Sequence, residues 1–232
     1  MTADLSTLDA DLDALRRRAP DVIEWRVDHF RLVGSADAVI EASSRIRAAT
    51  GECPLIFTLR SEQEGGAKTA LDPTIVGQLL SSAAKSRNFD FVDVELSLAS
   101  GLMQAVIDVA HRHDVQVIAS SHHIEDTPSE DRIVDLLTRA ATVGADAAKV
   151  AVMPKTTADV LRLLAATERA SRELSLPLIT MAMGSLGVVT RVFGGLFGSA
   201  LTFASGAQSS APGQLPIETL RAILETVRQL EK

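Results

Sequence analysis

A chain of 232 residues with 46% apolar content can bury a full α/β core, and its net charge of −7 disfavours nucleic acid as a general partner. A single cysteine, Cys53, excludes an internal disulfide, and no Cys/His spacing suggests a zinc site, so no metal is expected. The N-terminal MTADLSTLDADL lacks the basic and apolar regions of a signal peptide and no apolar run reaches membrane-spanning length, so a cytoplasmic chain without membrane contact is expected.

Ser6 to Arg18 reads as an amphipathic helix with Leu8, Leu12 and Leu15 on one stripe, followed by a strand from Val22 to Phe30. Ala36 to Ala49 is helical and Leu55 to Arg60 extended. Asp72 to Arg87 is a helix opened by Asp72 as cap, with Pro73 at its first position. Strands at Phe91 to Leu96 and Val115 to His122 flank a helix from Leu102 to His113. A helix from Ser129 to Gly144 leads into a strand around Lys149. Thr157 to Arg172 is a helix, Pro177 to Met183 a strand and Val188 to Phe193 a short helix. Leu201 to Ser205 is expected to be a strand, and Pro216 to Glu231 the final helix. No linker or low-complexity segment interrupts this series. A βα unit of about thirty residues therefore repeats through one α/β domain, residues 1–232, as a parallel sheet covered by helices.

The charges on the strands separate an open sheet from a closed one. Glu24, Arg26 and Asp28 share one face of their strand against Ile23, Trp25 and Val27. Thr58 with Arg60, Asp93 with Glu95, and Ser120 with His122 repeat the pattern. An open doubly wound sheet would bury both faces under helices and leave these groups dry, whereas a closed barrel gathers them in a shared interior. The expected architecture is a TIM-type (β/α)8 barrel lacking its first strand, because the helix at Ser6 has no strand before it. Seven parallel strands result.

One strand carries a lysine where an apolar residue is expected. In AAKVAVMP, Ala147 to Pro154, Lys149 shares a face with Ala151 and Met153, and Val150 and Val152 face the helices. A lysine at a strand end can snorkel to water. One that stays desolvated and neutral is a nucleophile toward ketones and aldehydes.

The segments EWRVDHF, FTLRSEQEGG, VDVEL, SSHHIEDTP, AAKVAVMP, ITMAMGSLGVVTR, FGSALTF and SSAPGQLP occur in this order from about Val22 to Pro216. Together they resemble the type I 3-dehydroquinate dehydratases, the Schiff-base enzymes of the shikimate pathway. The resemblance implies a lyase in aromatic amino-acid biosynthesis that converts 3-dehydroquinate to 3-dehydroshikimate without a cofactor. It implies that Lys149 forms an imine with the ring ketone, that His122 is the general base and acid, and that Glu64 orients this histidine. Glu24, Arg26 and Arg60 would hold ring hydroxyls, and Arg191 the substrate carboxylate. Ser210 and Gln214 lie on a mobile lid, residues 204–215, and Met183 and Phe203 form apolar walls. The family also implies a homodimer acting on a small carboxylate. The chemistry agrees with this set, since dehydration beside a ketone needs an electron sink, a base and an acid, and a carboxylate suits arginine's fixed fork.

Two features depart from the family pattern: His123-Ile124 follows the histidine where Asp-Phe is usual, and the first strand is missing. Two alternatives remain open on the sequence. One is another Schiff-base aldolase, though no dedicated phosphate site is visible. The other is a catalytically impaired barrel that serves as a binding or assembly module.

Overall fold

The computed structural model of the chain describes residues 8–206 and 211–230. They fall into two compact units, one running to Ser121 and completed by Val143–Asp146, the other made of His122–Thr142 and the chain from Ala147 onward.

The first unit alternates α1 (Leu8–Arg16), β1 (Ile23–Arg26), α2 (Ala36–Thr50), β2 (Leu55–Thr58), α3 (Pro73–Ser86), β3 (Phe91–Glu95), α4 (Ser100–Arg112) and most of β4 (Gln116–His123). The strands pair in parallel in chain order: Trp25 lies beside Phe57, Phe57 beside Val92, and Val92 beside Val117. That row is one apolar face, and four aromatic rings pack behind it. Trp25, Phe30, Phe57 and Phe89 meet at centroid distances of 5.0 to 6.2 Å, mostly edge to face, which suits the quadrupoles of the rings. Asp72 caps α3 by accepting from Thr74 N at 2.8 Å, and Pro73 occupies the first turn as its sequence position requires.

The opposite face is apolar where the strands begin and polar where they end. Ile56 and Ile118 fill its lower part, and Glu24, Thr58, Asp93, Glu95 and Ser120 follow. The first strand is shorter than its sequence suggests. After Arg26 the backbone turns into a 3-10 helix, Val27–His29, so Asp28 does not continue the strand alternation.

The second unit contains α5 (Glu130–Thr142), β5 (Ala147–Val152), α6 (Thr157–Glu173), β6 (Leu178–Ala182), α7 (Val188–Phe193), a 3-10 turn (Gly194–Phe197) and α8 (Ile217–Leu230). A capping box opens α6, with Thr156 and Asp159 satisfying each other's backbone N–H groups. β5 and β6 are parallel, with Lys149 beside Ile179, Val150 beside Thr180 and Ala151 beside Met181. Thr180 meets Thr167 of α6 hydroxyl to hydroxyl at 2.7 Å, which identifies the Val150 face as the helix-covered one. Lys149 therefore stands on the other face with Ile179 and Met181.

The described residues hold six strands, not the seven expected. Leu201 to Ser205 does not form the seventh. The chain makes single bridges at Ser199 with Leu178 and at Ser205 with Pro216, and nothing regular lies between them. The physical reason is competition for ladder groups. Ser199 Oγ accepts from Thr180 N at 3.0 Å, and Phe203 O accepts from Arg191 at 3.2 Å. Side chains thus hold positions that a neighbouring strand would otherwise occupy.

Candidate active site

In the first unit a buried arginine gathers acids from two strands and a turn. Arg60, 3% exposed, donates through Nη1 to Glu95 at 2.8 Å and to Ser120 at 3.0 Å. Its Nη2 lies 2.9 Å from Asp93, off the line of a directed hydrogen bond, and Glu64 is 3.6 Å from Nη1. These carboxylates hold the guanidinium above its ordinary value against the cost of burial. Glu64 behaves in the opposite way. Burial and the Glu95 charge push its carboxyl up to about 7, although Arg60 and the hydrogen bond that Ser97 donates to its ionised form each act to pull it down. Thr58 donates to Glu24 at 2.9 Å on the neighbouring strand.

Arg26 is held separately by a two-pronged pair with Asp28, Nε and Nη2 each at 2.8 Å. Asp28 also accepts from Ala67 N at 2.9 Å and from Arg60 N at 3.4 Å. One carboxylate therefore fixes both Arg26 and the turn after β2. Burial alone would raise the Asp28 carboxyl, but the Arg26 contacts and the Ala67 N–H bring it below its ordinary value. The turn itself needs Gly66, because a Cβ there would lie 2.1 Å from Arg60 O.

In the second unit Lys149 is 4% exposed, and its Nζ lies 4.6 Å from the centroid of the Phe203 ring. The Phe203 carbonyl accepts from Arg191 Nη1 at 3.2 Å, and Pro212 O accepts from Nη2 at 3.3 Å. Arg191 is 2% exposed, its Nε has no hydrogen-bond partner, and among the described residues no carboxylate pairs with it. Burial lowers its guanidinium from the ordinary value, with no acid to restore it. A buried cation supported only by carbonyls and the Met181 sulfur is a ready receptor for an anion. Pro212 is set in place by Gly184 N at 3.1 Å. Gly213 beside it has φ +79°, and a Cβ there would lie 2.2 Å from Gly184 O.

The model of the type I 3-dehydroquinase family matches residues 1–231. The chain belongs to that family. It is 45% identical over 220 residues to the 3-dehydroquinate dehydratase of Albidiferax ferrireducens, covering 95% of this chain and 83% of that one. Its fold superposes with a TM-score of 0.94 on the crystal structure of 3-dehydroquinate dehydratase from Geobacillus kaustophilus, at 42% identity and over 97% of this chain and 87% of that one. A second solved relative is the type I 3-dehydroquinate dehydratase from Clostridium difficile, described with covalently modified comenic acid. It has a TM-score of 0.91 and 36% identity over 95% of this chain and 87% of that one.

Within this type I 3-dehydroquinase the structure brings Glu24, Arg60 and Glu64 into one cluster, and Lys149, Phe203 and Arg191 into another. Arg26 joins Asp28. His122 is half-buried at the C-terminal end of β4, Gln214 is half-buried after Gly213, and Met183 is buried just past β6. Ser210 lies outside the described residues. The neighbouring His123 is half-buried with Nε2 unpaired, and desolvation lowers its pKa. The sequence pattern by itself assigned no role to Asp28, Asp93, Glu95 or Ser97. The alternation in VDVEL marked two of them as facing the polar side, but their partner was not legible. Among the described residues no group of three or more His, Cys, Asp or Glu could hold a metal ion. None of the described helices is long and apolar enough to cross a membrane.

Proposed function

We propose that this type I 3-dehydroquinase dehydrates 3-dehydroquinate to 3-dehydroshikimate through an imine at Lys149. The amine attacks the ring ketone and water leaves, giving an iminium that acidifies the adjacent carbon. His122 takes that proton, and the electron pair enters the ring as an enamine. The enamine then expels the hydroxyl one carbon further on, which His122 protonates so that it leaves as water. Hydrolysis of the imine returns Lys149. Arg191 binds the substrate carboxylate, and Glu24, Arg26 and Arg60 hold its hydroxyls. Glu64 orients His122 and, when ionised, favours its protonated form. Met183 and the Phe203 ring wall the ketone end.

The observation that carries this reading is the pairing, in one unit, of a buried lysine with a buried arginine that has no acid partner among the described residues. A ketone held by one and a carboxylate held by the other describe a small keto acid. The covalently modified ligand described for the Clostridium difficile relative supports covalent chemistry in the family. Residues 204–215, the segment that carries Ser210 and Gln214, act as a lid that closes over the imine and excludes water. The contacts of Pro212 with Gly184 and Arg191 would anchor its C-terminal end. A cytoplasmic homodimer is expected on the same family resemblance.

Borohydride added with substrate should trap Lys149 as a secondary amine with the mass of the reduced imine. Absence of that adduct in folded, substrate-saturated protein would refute the mechanism. Lys149→Ala should abolish turnover with little change in the circular dichroism spectrum.

A further inference from the structure

The acid cluster of the first unit contains a bridge that the proposed mechanism does not use. Glu64 and Glu95 are 8% and 9% exposed, and Ser97 stands between them. Its Oγ lies 2.8 Å from Glu64 Oε1 and 3.3 Å from Glu95 Oε2. Ser97 itself is exposed, so the buried acids meet water at this residue.

One hydroxyl hydrogen cannot serve two carboxylates at once, and two ionised carboxylates at this spacing repel each other. A single added proton removes both problems. The Glu64 hydroxyl then donates to Ser97 Oγ, while the Ser97 hydrogen donates to Glu95 Oε2. Glu95 is the better anion of the two, because its Oε1 already accepts from Arg60 Nη1 and Ser61 N, each at 2.8 Å. We propose that Ser97 is a positioning residue that bridges Glu64 and Glu95 into one acid pair holding a single shared proton, and thereby governs the charge on Glu64 during turnover. The role in turnover rests on the assignment of Glu64 as the partner of His122; the pair itself does not.

The other charged groups of this cluster act consistently. Asp93 on β3 adds negative charge and Glu24 on β1 takes up part of the field of Arg60, which is shared among four carboxylates. Burial and the Glu95 charge raise the Glu64 carboxyl to about 7, where a shared proton is held near neutrality. The proton leaves the pair as pH rises. Ionised Glu64 then supports the imidazolium of His122, so the acidic limb of the kcat/KM profile follows the pair.

The test is an infrared titration of the protonated carboxyl band beside the pH profile of kcat/KM, in the parent, Ser97→Ala, Ser97→Thr and Glu95→Gln. Ser97→Ala removes two hydrogen bonds from the protonated form and one from the ionised form. The pair should therefore lose its proton at a pH about one unit lower, a tenfold change in proton affinity. Glu95→Gln should shift it in the same direction by removing the like charge, and Ser97→Thr should restore the parent titration. An upward shift in Ser97→Ala would make the serine a simple donor to an ionised Glu64, and an unmoved titration would make it a bystander; either overturns the proposal. A shifted carboxyl titration with an unmoved kcat/KM profile would leave the pair standing and overturn its link to His122.

Discussion

Arg60 and Arg191 are both almost fully buried, at 3% and 2% exposure, yet their surroundings are opposite. Arg60 has carboxylates of Glu95 at 2.8 Å, Asp93 at 2.9 Å and Glu64 at 3.6 Å, which hold its charge firmly. Arg191 touches two carbonyls and a sulfur, and burial weakens its hold on the proton. The first guanidinium is over-compensated, so it organises its neighbours and leaves surplus acid to titrate. The second is under-compensated, and a bound anion completes it. Residue type and burial alone would not separate the two roles; the charge balance around each does.

Removing Arg60 should have the largest effect on the fold. Arg60→Leu strands several buried acids without their cation, which should cost about 3–5 kcal/mol in urea denaturation. Arg191→Leu should leave stability within about 1 kcal/mol of the parent, because relief of an uncompensated buried charge offsets the lost carbonyl contacts. Its cost should appear in binding, as a KM for 3-dehydroquinate raised about 100-fold in steady-state assays. Equal destabilisation by the two changes would break the contrast.

A smaller effect is expected at Asp28, which joins Arg26 to the turn carrying Ala67. Asp28→Asn should lower kcat/KM about tenfold, because the paired contact loosens Arg26 without removing it.

The smallest effect is a matter of pH. The Glu64 carboxyl rises from its ordinary 4.5 to about 7 in the fold, so the folded chain binds more protons than the unfolded one between these values. Its contribution to stability is present below the ordinary value and lost as pH rises through about 7. Glu64→Gln should remove this slope, on the order of 1 kcal/mol per pH unit, from denaturation curves between pH 4.5 and 7. Asp28 runs the other way. Its carboxyl is held low, so its contribution is present above the ordinary value of 3.8 and fades as pH falls through the folded value.

Much of this was legible in the chain because strand faces follow a period of two. AAKVAVMP placed Lys149 opposite Val150 and Val152, and the Thr180–Thr167 contact puts the valine face against α6. VDVEL likewise marked Asp93 and Glu95 as partners of a polar face. Leu201 to Ser205 misled because its apolar alternation is that of a strand, whereas Ser199 and Arg191 claim backbone groups from outside the segment. Glu24-Trp25-Arg26-Val27-Asp28 read as five strand residues, but the 3-10 turn at Val27 brings Asp28 back onto the guanidinium of Arg26.

The sequence by itself determined which residues are chemically able to act, the βα order that arranges them and the face on which each strand residue stands. These follow from local backbone period and from the cost of burying charge. Only the tertiary structure decided which acid answers which base: Asp28 for Arg26, a set of acids for Arg60, and carbonyls for Arg191. The first of these follows from the 3-10 turn at Val27, while the pairings of Arg60 and Arg191 depend on the approach of segments far apart in the chain, about which local dihedral and hydrophobic preferences carry no information.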